Sequence, residues 1–523
     1  MQRDDFNLYT HFSAQFTRRS ENELLRTGDG DSLTYGQVDE RAARTAAALG
    51  TLGVEPGERV SVQVEKSPEA LILYLACLRA GFVYHPLNAA YRAAELEYFL
   101  TNAEPAVVVC DARNEVSVET LARKAGAGRV LTLNADGSGS LAELAADASA
   151  NCATVPRVRD DLAALLYSSG TTGVPKGIML THGNLLSNTE ALVSAWGFGT
   201  DDRLLHALPI FHVHGLFVAI GCALSAGASM RWLGSFRVDD VIRYLPECTV
   251  LMGVPTYYTR LLAAPELTRD VASGVRLFVS GSAPLLAETF ADFEARTGHR
   301  ILERYGMTET NMNTSNPLEG ERKPGTVGPP LPGVEVRVRD DQGNLLGPGE
   351  IGNLEVRGPN VFVGYWKLPE KTAEDFSDDG FFNTGDKAMI DKDGYVAIVG
   401  RAKDVVITGG LNVYPKEVEL VIDELPGVRE SAVIGVPHPD FGEAVVAVVV
   451  CENGSGTDAS RIIDGCKERL AGFKAPKRVV FVDELPRNTM AKVQKNLLRE
   501  RFETLFEAAS AQNADSGQPR ARS

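Results

Sequence analysis

The sequence predicts an α/β protein: a large N-terminal domain of parallel α/β subdomains with a β-rich lobe, then a small α+β C-terminal domain. Three observations carry this. The chain has 523 residues, whereas single hydrophobic cores stop growing at about 250–300. Strand and helix signals alternate over roughly the first 250 residues, as in a parallel sheet covered by helices. After Pro329 the rhythm changes to short strands separated by turns.

The elements follow in order. Thr34 and Gln37 form a capping box that opens a helix through Ala42–Leu49. Arg59–Val64 reads as a short strand. Ser67-Pro68 supplies an N-cap and a proline at the first helical position, and that helix runs to Gly81. Ala106–Cys110 is rich in β-branched residues and reads as a buried strand. Turn sequences at 341–344, 378–380 and 391–394 punctuate the β-rich lobe, 333–402, with strands at Val334–Val338 and Asn353–Val356. From about 404 the pattern becomes α+β. Helices are expected near Pro415–Glu424 and Arg461–Leu470, and strands near Ser431–Val436 and Ala444–Cys451. The domains are therefore read as 1–402 and 403–507, and 508–523 as a disordered tail.

Composition narrows the function. Hydrophobic residues make up 44% and charged residues 23%, ordinary for a globular enzyme. A net charge of −16 argues against a nucleic-acid partner, which calls for a basic face. The seven cysteines are scattered, with no C-x-x-C pair, which suits a reducing compartment. Leu71–Tyr84 is interrupted by Arg79 and is too short to span a bilayer. Asp4 and Asp5 and the lack of an apolar run near them do not fit a secretory signal, so the location is read as cytoplasmic, with no membrane partner.

The strongest chemical signal follows the apolar run Leu162–Leu166: Tyr167-Ser168-Ser169-Gly170-Thr171-Thr172-Gly173-Val174-Pro175-Lys176-Gly177. Glycines and hydroxyl residues packed this closely give a loop with many N–H and O–H donors, able to wrap phosphate oxygens, with Lys176 supplying charge. The spacing is not that of a Walker A loop.

This loop resembles the phosphate loop of the adenylate-forming superfamily, which includes acyl-CoA synthetases, peptide-synthetase adenylation domains and firefly luciferase. Further motifs resemble that family in the same order across nearly the whole chain. The resemblance implies ATP and coenzyme A as cosubstrates and Mg²⁺ as cofactor. It assigns Ser168, Ser169, Gly170, Thr171, Thr172, Gly173 and Lys176 to the nucleotide phosphates. Ser282 and Ala283, in Gly281-Ser282-Ala283-Pro284, border the adenine and acyl sites. Glu303, Arg304, Tyr305 and Gly306 lead into Met307-Thr308-Glu309; there Tyr305 lies against adenine, Thr308 contacts phosphate, and Glu309 holds Mg²⁺ with Thr171. Asp386 binds the ribose hydroxyls, Arg401 contacts the nucleotide, and Lys492 is the catalytic lysine of a mobile C-terminal domain. Lys403 marks the hinge, and Gly409 and Gly410 border the coenzyme A thiol path. Lys474 and Lys477 are candidates for its 3′-phosphate. Lys492 is also an expected target of a lysine acetyltransferase and deacetylase.

The chemistry explains these residue types. A carboxylate is a poor electrophile, and attack on the ATP α-phosphate converts it to an acyl-adenylate with pyrophosphate leaving. Negative charge gathers on phosphoryl oxygens, where Mg²⁺ and a lysine stabilise it. The thiol of coenzyme A then displaces AMP.

The acid is read from His206, His212, Arg260, Ser280 and Met307. The His212-Val213-His214 pair has no evident third ligand for a metal, so these histidines border the acyl pocket or are satisfied core groups. An arginine at position 260, in a region that lines an apolar pocket in fatty-acid members, calls for a partner carboxylate on the substrate. Runs such as Ala207–Phe217, Met252–Leu262 and Glu303–Pro317 resemble malonate-activating members, which implies malonate, with methylmalonate as a secondary substrate. The alternatives are another short or medium-chain acid, or delivery of the acyl group to a carrier protein.

Overall fold

The computed structural model describes residues 5–168, 175–408, 411–438, 441–452, 454–470, 472–488 and 492–506. The chain forms two compact units: Met1–Val336 with Val356–Phe382, and Arg337–Glu355 with Asn383–Ser523.

The first unit contains two large sheets. The expected alternation is present at its start. Thr34 and Gln37 close a capping box on the helix Tyr35–Thr51. Ser67 caps the helix Pro68–Ala80, which ends on Gly81 in the left-handed conformation (φ 70°). That helix is buried from Ala70 to Ala80 except at Arg79, so it behaves as a core helix rather than an amphipathic surface one. Arg59–Gln63 pairs in parallel with Val83–Pro86 on one side and Val107–Cys110 on the other.

The second sheet fixes the site. Five strands, Leu302–Met307, Leu277–Ser280, Val250–Gly253, Arg203–His206 and Ser229–Trp232, lie side by side and parallel. Their register aligns Trp232 with His206, Gly253 with Ser280, and Ser280 with Glu303. The carboxyl ends therefore form one line, the edge along which open α/β sheets bind ligands. The prediction of parallel sheets holds in the interior only. Asn311–Ser315 and Ser32–Thr34 close this sheet with antiparallel pairs. In the other sheet Lys176–Thr181 runs antiparallel to Leu162–Ser168.

In the second unit, Glu335–Arg339, Gly352–Arg357, Phe382–Ile390 and Val396–Arg401 form the β-rich sheet. A further sheet centres on the antiparallel pair Val428–His438 and Gly442–Cys451, with Arg478–Phe481 added in parallel. The helices Pro415–Asp423 and Ala459–Arg469 bury Val418, Ile422, Ile462 and Cys466 against it. Expected and observed elements match here to within a few residues at each end. The expected tail lies outside the described residues.

Asp423 gives this unit a pH signature. Burial pushes its carboxyl up to about 7; Lys416 and a hydrogen bond from Ser431 (2.7 Å) oppose the shift, and Glu419 and Glu430 add to it. A folded pKa above the unfolded value makes the group's stabilising contribution complete below about pH 4 and lost as pH rises through 7. Asp423→Asn is expected to raise the melting temperature at pH 8 by a few degrees, roughly 1–2 kcal/mol for a half-buried carboxylate, and to leave it nearly unchanged at pH 4. Thermal unfolding at the two pH values checks this, and equal shifts at both would show that the charge is not responsible.

Candidate functional site

The phosphate-type loop joins two antiparallel strands. Ser168 and Lys176 face each other as the last residue pair before the loop; Ser169, Gly170, Thr171, Thr172 and Gly173 lie outside the described residues. The pair fixes where the loop leaves the sheet. Lys176 Nζ lies 4.7 Å from the centroid of the Tyr365 ring. Ser168 Oγ is 3.5 Å from a carboxylate oxygen of Glu309, so one strand end meets the turn after Leu302–Met307. Glu309 is buried, and its carbonyl accepts from Phe362 N–H (2.7 Å).

That turn is tightly built. Gly306 pairs with Met312, and a Cβ at Gly306 would stand 1.8 Å from the Asn311 carbonyl oxygen. Glycine is required here because the backbone of the returning strand occupies the side-chain position. Tyr305, Met307 and Thr308 are half-buried, with the Tyr305 hydroxyl 4.0 Å from the Met307 sulfur.

The acyl-pocket candidates gather at the carboxyl edge of the parallel strands. His206 and Ser280 end their strands and are buried. Ser282 adopts a left-handed conformation (φ 70°), and its hydroxyl lies 3.5 Å from His214 Nδ1. Ala283 beside it is half-buried. His214 opens a π-helical turn, His214–Ala219, a distortion often found at functional sites. His212, just before it, is half-buried.

Arg260 lies on the helix that follows the strand Val250–Gly253. It is exposed on the helix Pro255–Leu262, whose inward residues are Tyr258 and Leu261. Arg304, with Glu303 on the strand Leu302–Met307, is a buried cation. Its guanidinium packs where a Cβ on Gly281 would sit, 2.4 Å from Cζ. Burial pushes Arg304 down to about 9, partly offset by Tyr258, so it remains charged at neutral pH. Arg304 Nε and Nη2, Ser280 Oγ and His214 Nε2 are buried polar atoms with no hydrogen-bond partner among the described residues. Burial also holds His214 well below the usual histidine range, with Arg304, His212 and His206 adding to the effect. It is therefore a neutral imidazole.

In the second unit Asp386 and Arg401 are register partners on adjacent strands. Arg401 Nε donates to Asp386 (2.9 Å), and its Nη1 to the Thr384 carbonyl (2.9 Å). Asp386 N–H donates to Thr384 Oγ1 (3.1 Å). This holds the carboxylate in one orientation, as recognition of two adjacent hydroxyls requires. Lys403 is exposed in the 3₁₀ turn Ala402–Asp404, and Gly409 and Gly410 lie outside the described residues. Lys492 is exposed; its N–H donates to Asn488 Oδ1 (3.0 Å) and its carbonyl accepts from Asn488 N–H (2.9 Å). Lys474 pairs with Glu417 (2.6 and 2.8 Å). Lys477 remains exposed above the Phe441 ring.

Sequence reasoning missed two residues. Arg304 was assigned to the nucleotide only, and Lys66 was not singled out. Lys66 Nζ stands 2.8 Å from His206 Nδ1. It follows the strand Arg59–Gln63 directly, and a lysine just past a parallel strand's carboxyl end was the available signal.

Ser168, which leads into the hydroxyl- and glycine-rich loop, meets the buried Glu309 carboxylate, and the neighbouring sheet's parallel strands end in buried polar side chains; together with the sequence motifs this fits an enzyme of nucleotide-dependent acid chemistry. The chain belongs to the AMP-binding enzyme family: that family's model matches residues 12–366, and the model of the AMP-binding enzyme C-terminal domain matches 417–492. The ATP-bound structure of MatB from Rhodopseudomonas palustris is 55% identical, with a TM-score of 0.93, over 96% of this chain and 100% of that one. A malonate–CoA ligase of Arabidopsis thaliana is 34% identical over 94% of this chain and 88% of its own length. A feruloyl-CoA synthase of an Amycolatopsis species is 37% identical over 90% of this chain and 94% of its own. Identity alone therefore does not select the acid. Among the described residues no helix is long and apolar enough to cross a membrane.

Proposed function

We propose that the chain is an AMP-forming acid–CoA ligase for malonate: ATP + malonate + CoA → AMP + diphosphate + malonyl-CoA, through malonyl-adenylate. The observation that carries the choice of acid is Arg304, a buried cation near polar atoms of Ser280 and His214 that have no partner among the described residues. An uncompensated buried ion is destabilising by several kcal/mol. A substrate that is anionic at its far end supplies the partner through a two-pronged contact, which a monocarboxylate cannot. The malonate ligase of Arabidopsis supports the same acid.

The other roles follow from chemistry. Glu309 fits Mg²⁺: it is a buried carboxylate beside the phosphate-type loop, and Mg²⁺ is usually held by one or two carboxylates together with substrate phosphates. When bound, the ion neutralises charge on the transferring phosphoryl group. Ser168 and Lys176 hold the loop's stem, Asp386 receives the ribose, and Arg401 orients Asp386. Lys492 stabilises the developing phosphoryl charge. Lys403 is the hinge between 1–402 and 403–507, and the exposed Lys492 is a target for acetylation. The unpaired cysteines support a reducing, cytoplasmic location.

The test is pyrophosphate release over a panel of acetate, butyrate, ferulate, oxalate, malonate, methylmalonate and succinate, with thioester formation measured in parallel. Malonate should exceed the monocarboxylates by at least a hundredfold in kcat/KM. Methylmalonate should follow it, since one methyl discriminates by only ~1–3 kcal/mol. A monocarboxylate at the top of the panel would overturn the assignment.

A further inference from the structure

Lys66 sits outside every role assigned so far. As a residue it is half-buried, but its head group is enclosed by three contacts. Nζ is 2.8 Å from His206 Nδ1, 2.9 Å from the His206 carbonyl oxygen and 4.6 Å from the centroid of the Trp232 ring. His206 stacks on that same ring, with centroids 4.8 Å apart and planes at 14°. On the far side of the imidazole, Nε2 lies 2.9 Å from the Gly215 carbonyl oxygen.

These contacts determine a tautomer. A carbonyl only accepts, so His206 Nε2 carries the proton. Burial and the neighbouring Lys66 hold His206 well below its ordinary range, so the ring is neutral and Nδ1 must accept. Lys66 is the donor that makes this the single satisfied arrangement. With Nδ1 protonated instead, Nε2 would face a carbonyl with a lone pair, and two buried polar groups would lose their partners at roughly 1–3 kcal/mol each.

The consequence reaches the acid pocket. Gly215 is the second residue of the π-helical turn that begins with His214. A Cβ on Gly215 would lie 2.0 Å from the Pro209 carbonyl oxygen, so the turn is wedged on one side and tied through its carbonyl on the other. His214, in turn, has its Nδ1 at Ser282.

We propose that Lys66 is a positioning residue for the acid site. By donating to His206 Nδ1 it fixes the tautomer that anchors the Gly215 carbonyl, and thereby the turn that presents His214 beside Ser282 and Arg304. This rests on the pocket being the acid site, but not on the acid being malonate.

Two measurements on the full-length enzyme test it. In protein carrying ¹⁵N-histidine, assigned with His206→Phe as a difference, His206 should show an unprotonated Nδ1 and a protonated Nε2. The opposite tautomer would overturn the proposal even if no Lys66 variant folds. Kinetically, Lys66→Met should raise KM for the best acid of the panel tenfold or more and leave KM for ATP and for CoA within about twofold. Lys66→Arg, which keeps a donor, should recover part of the loss. An unchanged acid KM, or equal losses for all three substrates, would reduce Lys66 to a structural residue. Because the acid is chosen by the panel, failure of the malonate assignment and failure of the Lys66 assignment give separate readings.

Discussion

Arg304→Met is expected to lower kcat/KM for malonate by a factor of 10² or more while leaving a monocarboxylate such as butyrate within a few-fold of its starting value. Removing one partner of a buried, hydrogen-bonded ion pair costs about 3–5 kcal/mol, and each ~1.4 kcal/mol is tenfold. Methionine is unbranched and fills much of the same channel against Gly281, so the loss falls on charge more than on packing. The same substitution should raise the melting temperature of the ligand-free protein. There Arg304 is a buried cation with Nε and Nη2 unpartnered among the described residues, and exchange of such a charge for an apolar chain is often stabilising. Lost malonate turnover with a gain in apo stability is a combination that simple misfolding does not produce. Equal losses on both acids, or a lower melting temperature, would remove Arg304 from the acid-binding role.

Lys492→Ala is expected to slow pyrophosphate formation by about 10²–10³, the usual effect of deleting one preorganised charge aimed at the transition state. Conversion of supplied acyl-adenylate and CoA to thioester should change by only a few-fold, because there the attack falls on the acyl carbon and the α-phosphorus undergoes no substitution. Lys492 is exposed, and its backbone N–H and carbonyl bond to the side chain and backbone of Asn488. The variant should therefore fold normally, with an unchanged melting temperature. Rapid-quench measurement of the two half-reactions separates the outcomes. Equal loss in both steps would mean that Lys492 acts on something common to them, such as nucleotide affinity.

The parts of this protein that were legible in the sequence are those written locally. The capping box at Thr34 and Gln37 and the Ser67-Pro68 start declare themselves within four residues, and both helices begin there. The hydroxyl-rich loop after Leu162–Leu166 was legible because its composition is unusual. The exposure of Arg260 was not legible, because burial depends on helical phase rather than on position in a motif. Tyr258 and Leu261 occupy the inward face, and the short stretch Val254–Arg260 contains too few apolar residues to show that phase in advance. Arg304 and Lys66 were underrated for the opposite reason. Each is a charged residue beside others that read as surface, and each acquires its meaning from partners far along the chain: Gly281 for Arg304, and His206, 140 positions away, for Lys66. Sequence shows which residues carry charge, but only the stacking of strand ends shows which charges lie in the same enclosure.

The π-helical turn His214–Ala219 runs straight into the α-helix Ile220–Ala226. Its bonds span one residue more than those of an α-helix, so it is equivalent to a single amino acid added to an otherwise regular segment. Loss of one codon there would rotate everything upstream by about 100° and leave Ile220–Ala226 packed as before. Such a change would exchange the imidazole at the pocket for its neighbour without rebuilding the interior. The fold thus holds, directly before Ile220–Ala226, a point at which one residue more or less decides which side chain stands opposite Ser282.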